Sequence, residues 1–269
     1  MEPISFQPIG IFHGERKYRY ETPRQAVLAK DVEGVIELFP HRNFEQALAD
    51  LAEFERIWVL YVFHLNANWK PLVNVPRHRT DKVGVFATRA PYRPNPIGLS
   101  CVRVLGVDGL SVRIAETDLL DGSPVLDLKP YLPYADSFPE ANAGWVLDPL
   151  ADSFTVQETP EAAIRLDWVQ EHACINLRGF IGVQLQQDPA NRRRKRIALL
   201  SETGAGTPAL YALAYRTWRI LYSIDPAART VTITSIRSGY TPDDLAPSAP
   251  DPLADKDIHR CFLATYPFE

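Results

Sequence analysis

Two segments of the 269-residue chain concentrate side chains able to do chemistry. The first, GVFATRAPYRPNPIGLS at residues 84–100, sets Arg89, Tyr92, Arg93 and Asn95 among prolines. Pro94 and Pro96 disfavour helical geometry at the residues before them and push Arg93 and Asn95 toward extended backbone. Side chains held this way lose less entropy when they grip a ligand. Arg89 and Arg93 stand four apart, so in an extended run they point to one face, suited to a carboxylate or phosphate. The second segment, DLLDGSPVLDLKPYLPYADSF at residues 118–138, brackets an Asp121-Gly122 turn with Asp118 and Asp127, and Lys129-Pro130-Tyr131 follows. Carboxylates beside turn amides suit a ligand with ammonium, amino or ribose groups. By composition alone, the first segment reads equally as a stiffened connection between strands and the second as an Asx turn.

Basic residues gather in two places. Lys70, Arg77, Arg79, Lys82, Arg89, Arg93 and Arg103, with His78, face the single acid Asp81, and a second run, RRRKR, occupies residues 192–196. The chain carries a formal net charge of −4. Two basic clusters in an acidic protein are either solvated surface or a charge-segregated face for a polyanion.

The elements that must position these residues are mostly short strands. Ile9–Phe12 and Val35–Phe39 read as strands, and Asn43 as the N-cap of a helix over Phe44–Phe54. IWVLYVFHL, Ile57–Leu65, reads as a buried central strand. Leu99–Val107 and Leu110–Ala115 flank the hairpin signal Asp108-Gly109. Strands so closely spaced, with one helix among them, favour a β-barrel or sandwich over βαβ units. Composition shifts around residues 139–160. Beyond it the pattern is helical from Glu161 to about Gln187, then gives strands at Tyr211–Ile224 and Thr230–Ile236 around an Asp225-Pro226 turn. The reading is mainly β: a barrel over residues 1–145 and a smaller α+β domain over 155–269, ending in the aromatic tail CFLATYPFE.

Several function classes are disfavoured. GAG at Gly204–Gly206 follows the apolar IALL, but Pro208 comes close behind and no ribose-binding acid follows, so a Rossmann site is not expected. GxSxG, HExxH and P-loop motifs are absent, and six scattered histidines give no metal cluster. Cys101, Cys174 and Cys261 form no zinc or disulfide pattern and fit a reducing cytoplasm. No signal-peptide pattern opens the sequence, and no apolar run reaches the roughly 18 residues of a membrane span.

In order along the chain, PRQ (Pro23–Gln25), VFH (Val62–His64), GVFATRAPYRPNPIGLS and DLLDGSPVLDLKPYLPYAD resemble the successive motifs of the TsaA-like, or TrmO, family. The resemblance covers roughly residues 5–140. QDP at Gln187–Pro189, with the basic run behind it, is similar to the bacterial form, although Asn191-Arg192 stands where a further proline is usual. The resemblance implies a homodimeric, S-adenosyl-L-methionine-dependent methyltransferase. It acts on N6 of N6-threonylcarbamoyladenosine at position 37, in the anticodon loop of tRNA, and is built on a β-barrel without a glycine-rich Rossmann loop. It also implies cofactor contacts at Pro23, Arg24, Gln25, His64, Leu65, Arg89, Leu99, Asp118, Leu119, Leu120 and Asp121, and RNA contacts at Arg192, Arg193 and Arg194.

Methyl transfer from a sulfonium needs orientation, a nearly dry pocket and a route for the N6 proton, but no protein nucleophile. Arg24 or Arg89 suits the methionine carboxylate, and Asp118 or Asp121 the amino and ribose groups. Asn95 and Tyr92 suit the edge and face of the adenine. Asp121 and Tyr131 are the candidate bases, and Arg93 or Lys129 the candidate partner of the threonylcarbamoyl carboxylate. Two other readings stand beside this one: a cofactor-binding barrel acting on a small molecule or protein, and a non-catalytic RNA-binding module.

Overall fold

The computed structural model describes residues 2–22, 32–74, 81–146, 153–192, 195–202 and 208–267. The chain divides into two compact units, Met1–Gly144 and Trp145–Glu269.

In the first unit, β1 (Gly10–Gly14), β2 (Glu33–Leu38), α1 (Phe44–Ala47), β3 (Arg56–Val62), β4 (Leu72–Val73), β5 (Val83–Gly84), β6 (Ile97–Asp108), β7 (Ser111–Ala115), β8 (Ser123–Pro130) and α2 (Pro133–Asp136) follow in order. Six strands close into a barrel in the order β1-β2-β7-β6-β3-β8, while β4 and β5 form a separate ribbon. The alternation in RIWVLYV decides how β3 sits. Ile57, Val59 and Tyr61 turn inward and are buried, and β6 and β8 flank the strand on either side. Phe12, Ile36, Val102, Val112, Ile114 and Val125 complete the barrel core. Each such side chain removed from water contributes roughly 1.5–3 kcal/mol before entropic costs. The hairpin turn between β6 and β7 uses Gly109 at φ +55°, where a side chain would be strained.

The expected helix over Phe44–Phe54 is corrected to one turn, Phe44–Ala47, and a 3₁₀ turn at Leu51–Glu53. Asn43 and Asp50 both take left-handed backbone, and neither makes a side-chain cap bond. Asp50 thus breaks the helix that the apolar spacing alone extends.

The second unit contains β9 (Thr155–Glu158), α3 (Pro160–Ala173), α4 (Leu177–Leu185), β10 (Ile197–Ser201), β11 (Leu210–Tyr215), β12 (Trp218–Asp225), β13 (Thr230–Ser238) and α5 (Lys256–Thr265). Its sheet runs β10-β11-β12-β13-β9, with β9 parallel to β13. The single strand expected over Tyr211–Ile224 is a hairpin, because Arg216 takes φ +48° and reverses the chain. The aromatic tail is largely α5, whose Phe262 packs edge-on against Trp168 and Trp218. The helical stretch is two helices, parted at Cys174 in left-handed conformation. Thr159 caps the first by accepting from the Ala162 amide, and Asn176 caps the second by accepting from the Gly179 amide. Gly204–Gly206 lie outside the described residues.

A carboxyl and arginine mouth on the barrel

One end of the barrel gathers the chemistry. There Val62 of β3 pairs with Ile97 of β6, and β8 begins at Ser123. Ser100, on an inward position of β6, donates from Oγ to Oδ1 of Asp118 at 2.5 Å. Burial holds the Asp118 carboxyl above the usual carboxylate range, outweighing the Ser100 hydrogen bond and the charges of Arg89 and Arg16. The Tyr61 phenol, inward on the neighbouring strand, is raised by burial first and by the Asp118 charge second. Gly98 lies opposite Tyr61 and leaves room for its ring; a Cβ there would stand 2.4 Å from it.

The rim is built by the Asp118–Gly122 segment. The Asp121 amide donates to the Arg16 carbonyl at 2.8 Å, and its Oδ1 accepts from the Gly14 amide at 3.2 Å, with His13 Nδ1 at 3.8 Å. That carboxylate therefore ties the turn to the end of β1. His64, just past β3, stands 3.4 Å from Ser123 Oγ through Nδ1, and Gly122 lies beside its Nε2. Leu120 contributes its carbonyl, which accepts from the Ser123 amide.

Other residues read from the sequence differ in burial, facing or position along the strands. Leu119 is fully buried in the barrel core, so it offers a ligand no side chain. Leu99 is 53% exposed and, by the alternation that turns Ser100 inward, faces the outside of the barrel. Leu65 is 48% exposed, one residue past His64. Lys129 and Tyr131 sit at the far end of β8 from Ser123, on the order of 25 Å along an extended strand of that length. Lys129 pairs there with Asp127 at 3.0 Å, and Tyr131 packs against Trp58. Within one chain, neither joins the Asp118 mouth.

The proline-rich loop is braced from inside. Arg93 Nη1 donates to the carbonyls of Val85 and Thr88, and its guanidinium lies over the Phe86 ring. Tyr92 carries Lys70 Nζ over its ring at 5.1 Å. Asn95 is exposed, and its carbonyl accepts from the Ile97 amide. Arg89 is exposed yet near enough to favour the Asp118 anion. Pro23, Arg24, Gln25, Arg77, His78, Arg79, Arg193 and Arg194 lie outside the described residues, and Arg192 is exposed on the second unit. Sequence reasoning missed Tyr61, Ser100 and Arg16. The signal for Ser100 was a polar residue at an inward position of a strand, in phase with Val102.

Among the described residues, no group of three or more His, Cys, Asp or Glu is placed to hold a metal ion, and no helix is long and apolar enough to cross a membrane.

These features define a class: a closed antiparallel barrel with a carboxyl–guanidinium mouth, followed by a helix-and-sheet unit. Residues 11–137 match the tRNA-methyltransferase O N-terminal domain. The chain is 37% identical over 202 residues to the tRNA (adenine(37)-N6)-methyltransferase of Escherichia coli, covering 72% of this chain and 86% of that protein. A probable S-adenosyl-L-methionine-binding protein of Pyrococcus abyssi is 46% identical over 143 residues, 53% of this chain and 76% of that protein. The crystal structure of TrmO from Pseudomonas aeruginosa superposes with a TM-score of 0.62 at 29% identity, covering 88% of this chain and all of that one. The chain belongs to the tRNA-methyltransferase O family.

Proposed function

We propose that the chain methylates N6 of adenine 37 in tRNA at the expense of S-adenosyl-L-methionine, and that the base it takes is N6-threonylcarbamoyladenosine. The observation that carries this reading is the 37% identity with an enzyme named for that reaction, in a chain whose barrel mouth holds a buried carboxyl. The mouth suits the cofactor. Arg89 offers a donor for its carboxylate, and His64 with Ser123 polar atoms for its ribose. S-adenosyl-L-methionine supplies an electrophilic methyl carbon.

The chain's own residues then have to orient the base and take its N6 proton. Of the two bases read from sequence, Asp121 has Oδ1 engaged by the Gly14 amide, and Tyr131 lies at the far end of β8. Asp118 takes the role in this reading. Its carboxyl is held above the ordinary range by burial, which makes its anion a stronger proton acceptor than an exposed aspartate. Ser100 fixes the direction in which the acceptor points. Of the two candidates for the threonylcarbamoyl carboxylate, this reading takes Arg93 of the proline-rich loop over Lys129, which pairs with Asp127 away from the mouth.

A homodimer and a cytoplasmic setting belong to the same reading, the latter supported by free thiols at Cys101, Cys174 and Cys261. The test is incubation with S-adenosyl-L-methionine and tRNA carrying or lacking the threonylcarbamoyl group, followed by nucleoside mass analysis. The expected product is a methylated threonylcarbamoyladenosine. Absence of product on every tRNA refutes the proposal, and equal yield with and without the group refutes its substrate detail. Arg93→Ala should change the ratio between the two tRNAs if Arg93 meets the carboxylate.

A further inference from the structure

A loop outside the sequence motifs interleaves bases with aromatics: Arg16-Lys17-Tyr18-Arg19-Tyr20. The fold places it on the rim of the Asp118 mouth. At its start, Arg16 is buried, its carbonyl accepts from the Asp121 amide, and its charge acts on Asp118. Further along, Arg19 Nη1 donates to Asn66 Oδ1 at 2.9 Å, two residues past His64. The loop thus spans from the Asp121 turn to the segment after β3.

It is also preformed. The buried carboxylate of Glu21 accepts from the amides of Lys17 and Tyr18 at 2.9 and 3.3 Å, and the Glu21 amide donates to the Tyr18 carbonyl. Thr22 Oγ1 donates to the Arg19 carbonyl. The rings of Tyr18 and Tyr20 lie parallel, 8° apart in plane with centroids 5.6 Å apart, yet Tyr18 remains 44% exposed. A rigid aromatic pair that shows ring surface beside a catalytic mouth, with Lys17 and Arg19 exposed on either side, has the composition of a single-strand nucleic-acid platform.

We propose that Tyr18 stacks an unpaired anticodon-loop base next to the target adenosine, with Lys17 and Arg19 meeting the flanking phosphates. This rests on the methyltransferase reading and names the part of the RNA that the rim holds. Stacking on an aromatic face is tolerant of base identity, so the contact contributes affinity and register and leaves sequence choice to other contacts. Because the loop is already fixed, little ordering entropy opposes the contact.

The experiment compares wild type, Tyr18→Ala and Tyr18→Phe on a threonylcarbamoylated tRNA and on the same tRNA abasic at either neighbour of position 37. Tyr18→Ala should raise KM for the intact tRNA about tenfold, with kcat within about threefold and S-adenosyl-L-methionine affinity unchanged. Tyr18→Phe should match wild type, which separates stacking from a folding defect. With the abasic partner RNA, the tenfold difference between wild type and Tyr18→Ala should vanish. An equal KM for wild type and Tyr18→Ala, or a penalty that persists on both abasic RNAs, overturns the platform. A wild type that methylates no tRNA refutes the underlying function instead, and the platform with it.

Discussion

Ser100 and Asp118 meet at 2.5 Å across 18 residues of sequence, and their contact joins an inward strand position of the barrel to the segment that forms its rim. The hydroxyl stabilises the carboxylate form, while burial opposes it more strongly. The first prediction follows from that balance. Ser100→Ala removes a lowering influence, so the Asp118 carboxyl rises further. Where the anion is the working form, the acidic limb of the kcat/KM profile moves to higher pH, and activity recovers toward the alkaline side. A pH–rate profile that keeps its acidic limb in place would show that Asp118 is not the titrating group.

Asp118→Asn should lower kcat by about 100-fold or more if the carboxylate accepts the N6 proton. The same change should raise the melting temperature at pH 7. A carboxyl whose folded pKa is raised favours folding in its protonated form, below the unfolded value of about 4, and loses that contribution as pH rises through the folded value. The stability gain of the Asn variant should therefore shrink on acidification. Thermal melts at pH 7 and pH 4, beside initial rates, check both halves.

Gly98→Ala puts a Cβ 2.4 Å from the Tyr61 ring, between neighbouring strands that cannot separate cheaply. Overpacking of this kind costs about 1–3 kcal/mol. Since Tyr61 neighbours Ser100 and Asp118, activity should fall together with stability. Urea midpoints and rates measured on one preparation test the coupling.

Two residues before Asp118, Glu116 ties β3 to β6 by accepting from Arg56 at 2.6 Å and standing 3.4 Å from Arg103. Its side chain is 15% exposed, so the pair is shielded but not dry. Glu116→Gln should cost about 1–3 kcal/mol, read as a shift of the urea unfolding midpoint.

In the second unit, His259 is fully buried, and burial first of all lowers its pKa to about 4, with Asp255 opposing and Arg219 reinforcing. Thr217 Oγ1 donates to Asp255 at 2.7 Å, so it receives its own hydrogen bond from His259 Nε2–H at 2.8 Å. The proton added on charging must then go to Nδ1, which has no hydrogen-bond partner. Stability from the neutral imidazole is present above the unfolded value of about 6.5 and is lost as pH falls through it toward the folded value, on the order of 3 kcal/mol in all. His259→Gln can still donate to Thr217 but does not titrate. Its urea midpoints should be nearly flat between pH 7 and pH 4.5, where wild type slopes downward.

The sequence by itself determined the barrel's inner wall and the identity of its special segments. Alternation in RIWVLYV, the Asp108-Gly109 hairpin and the proline spacing at 91–96 are local patterns, because a side chain's face on a strand and a turn's backbone depend on near neighbours. Local rules failed where backbone conformation broke a periodic pattern. Asp50 ended a helix that apolar spacing continued, and Arg216 split one apolar run into a hairpin. The site depended still more on tertiary structure. Asp118, Asp121, Lys129 and Tyr131 are close in sequence, yet β8 carries the last two to the opposite end of the barrel. Ser100 and Tyr61 look like ordinary strand residues until β3 and β6 pair and the chain after β7 folds back over them. Arg93 and Asn95 were legible as rigidly held, but only the folded loop shows that Arg93 spends Nη1 on its own backbone. Sequence sets which groups are available and how stiffly they are held. Which of them share a mouth, and which pKa values burial shifts there, is fixed by strand register and barrel closure, which bring together residues far apart in the chain.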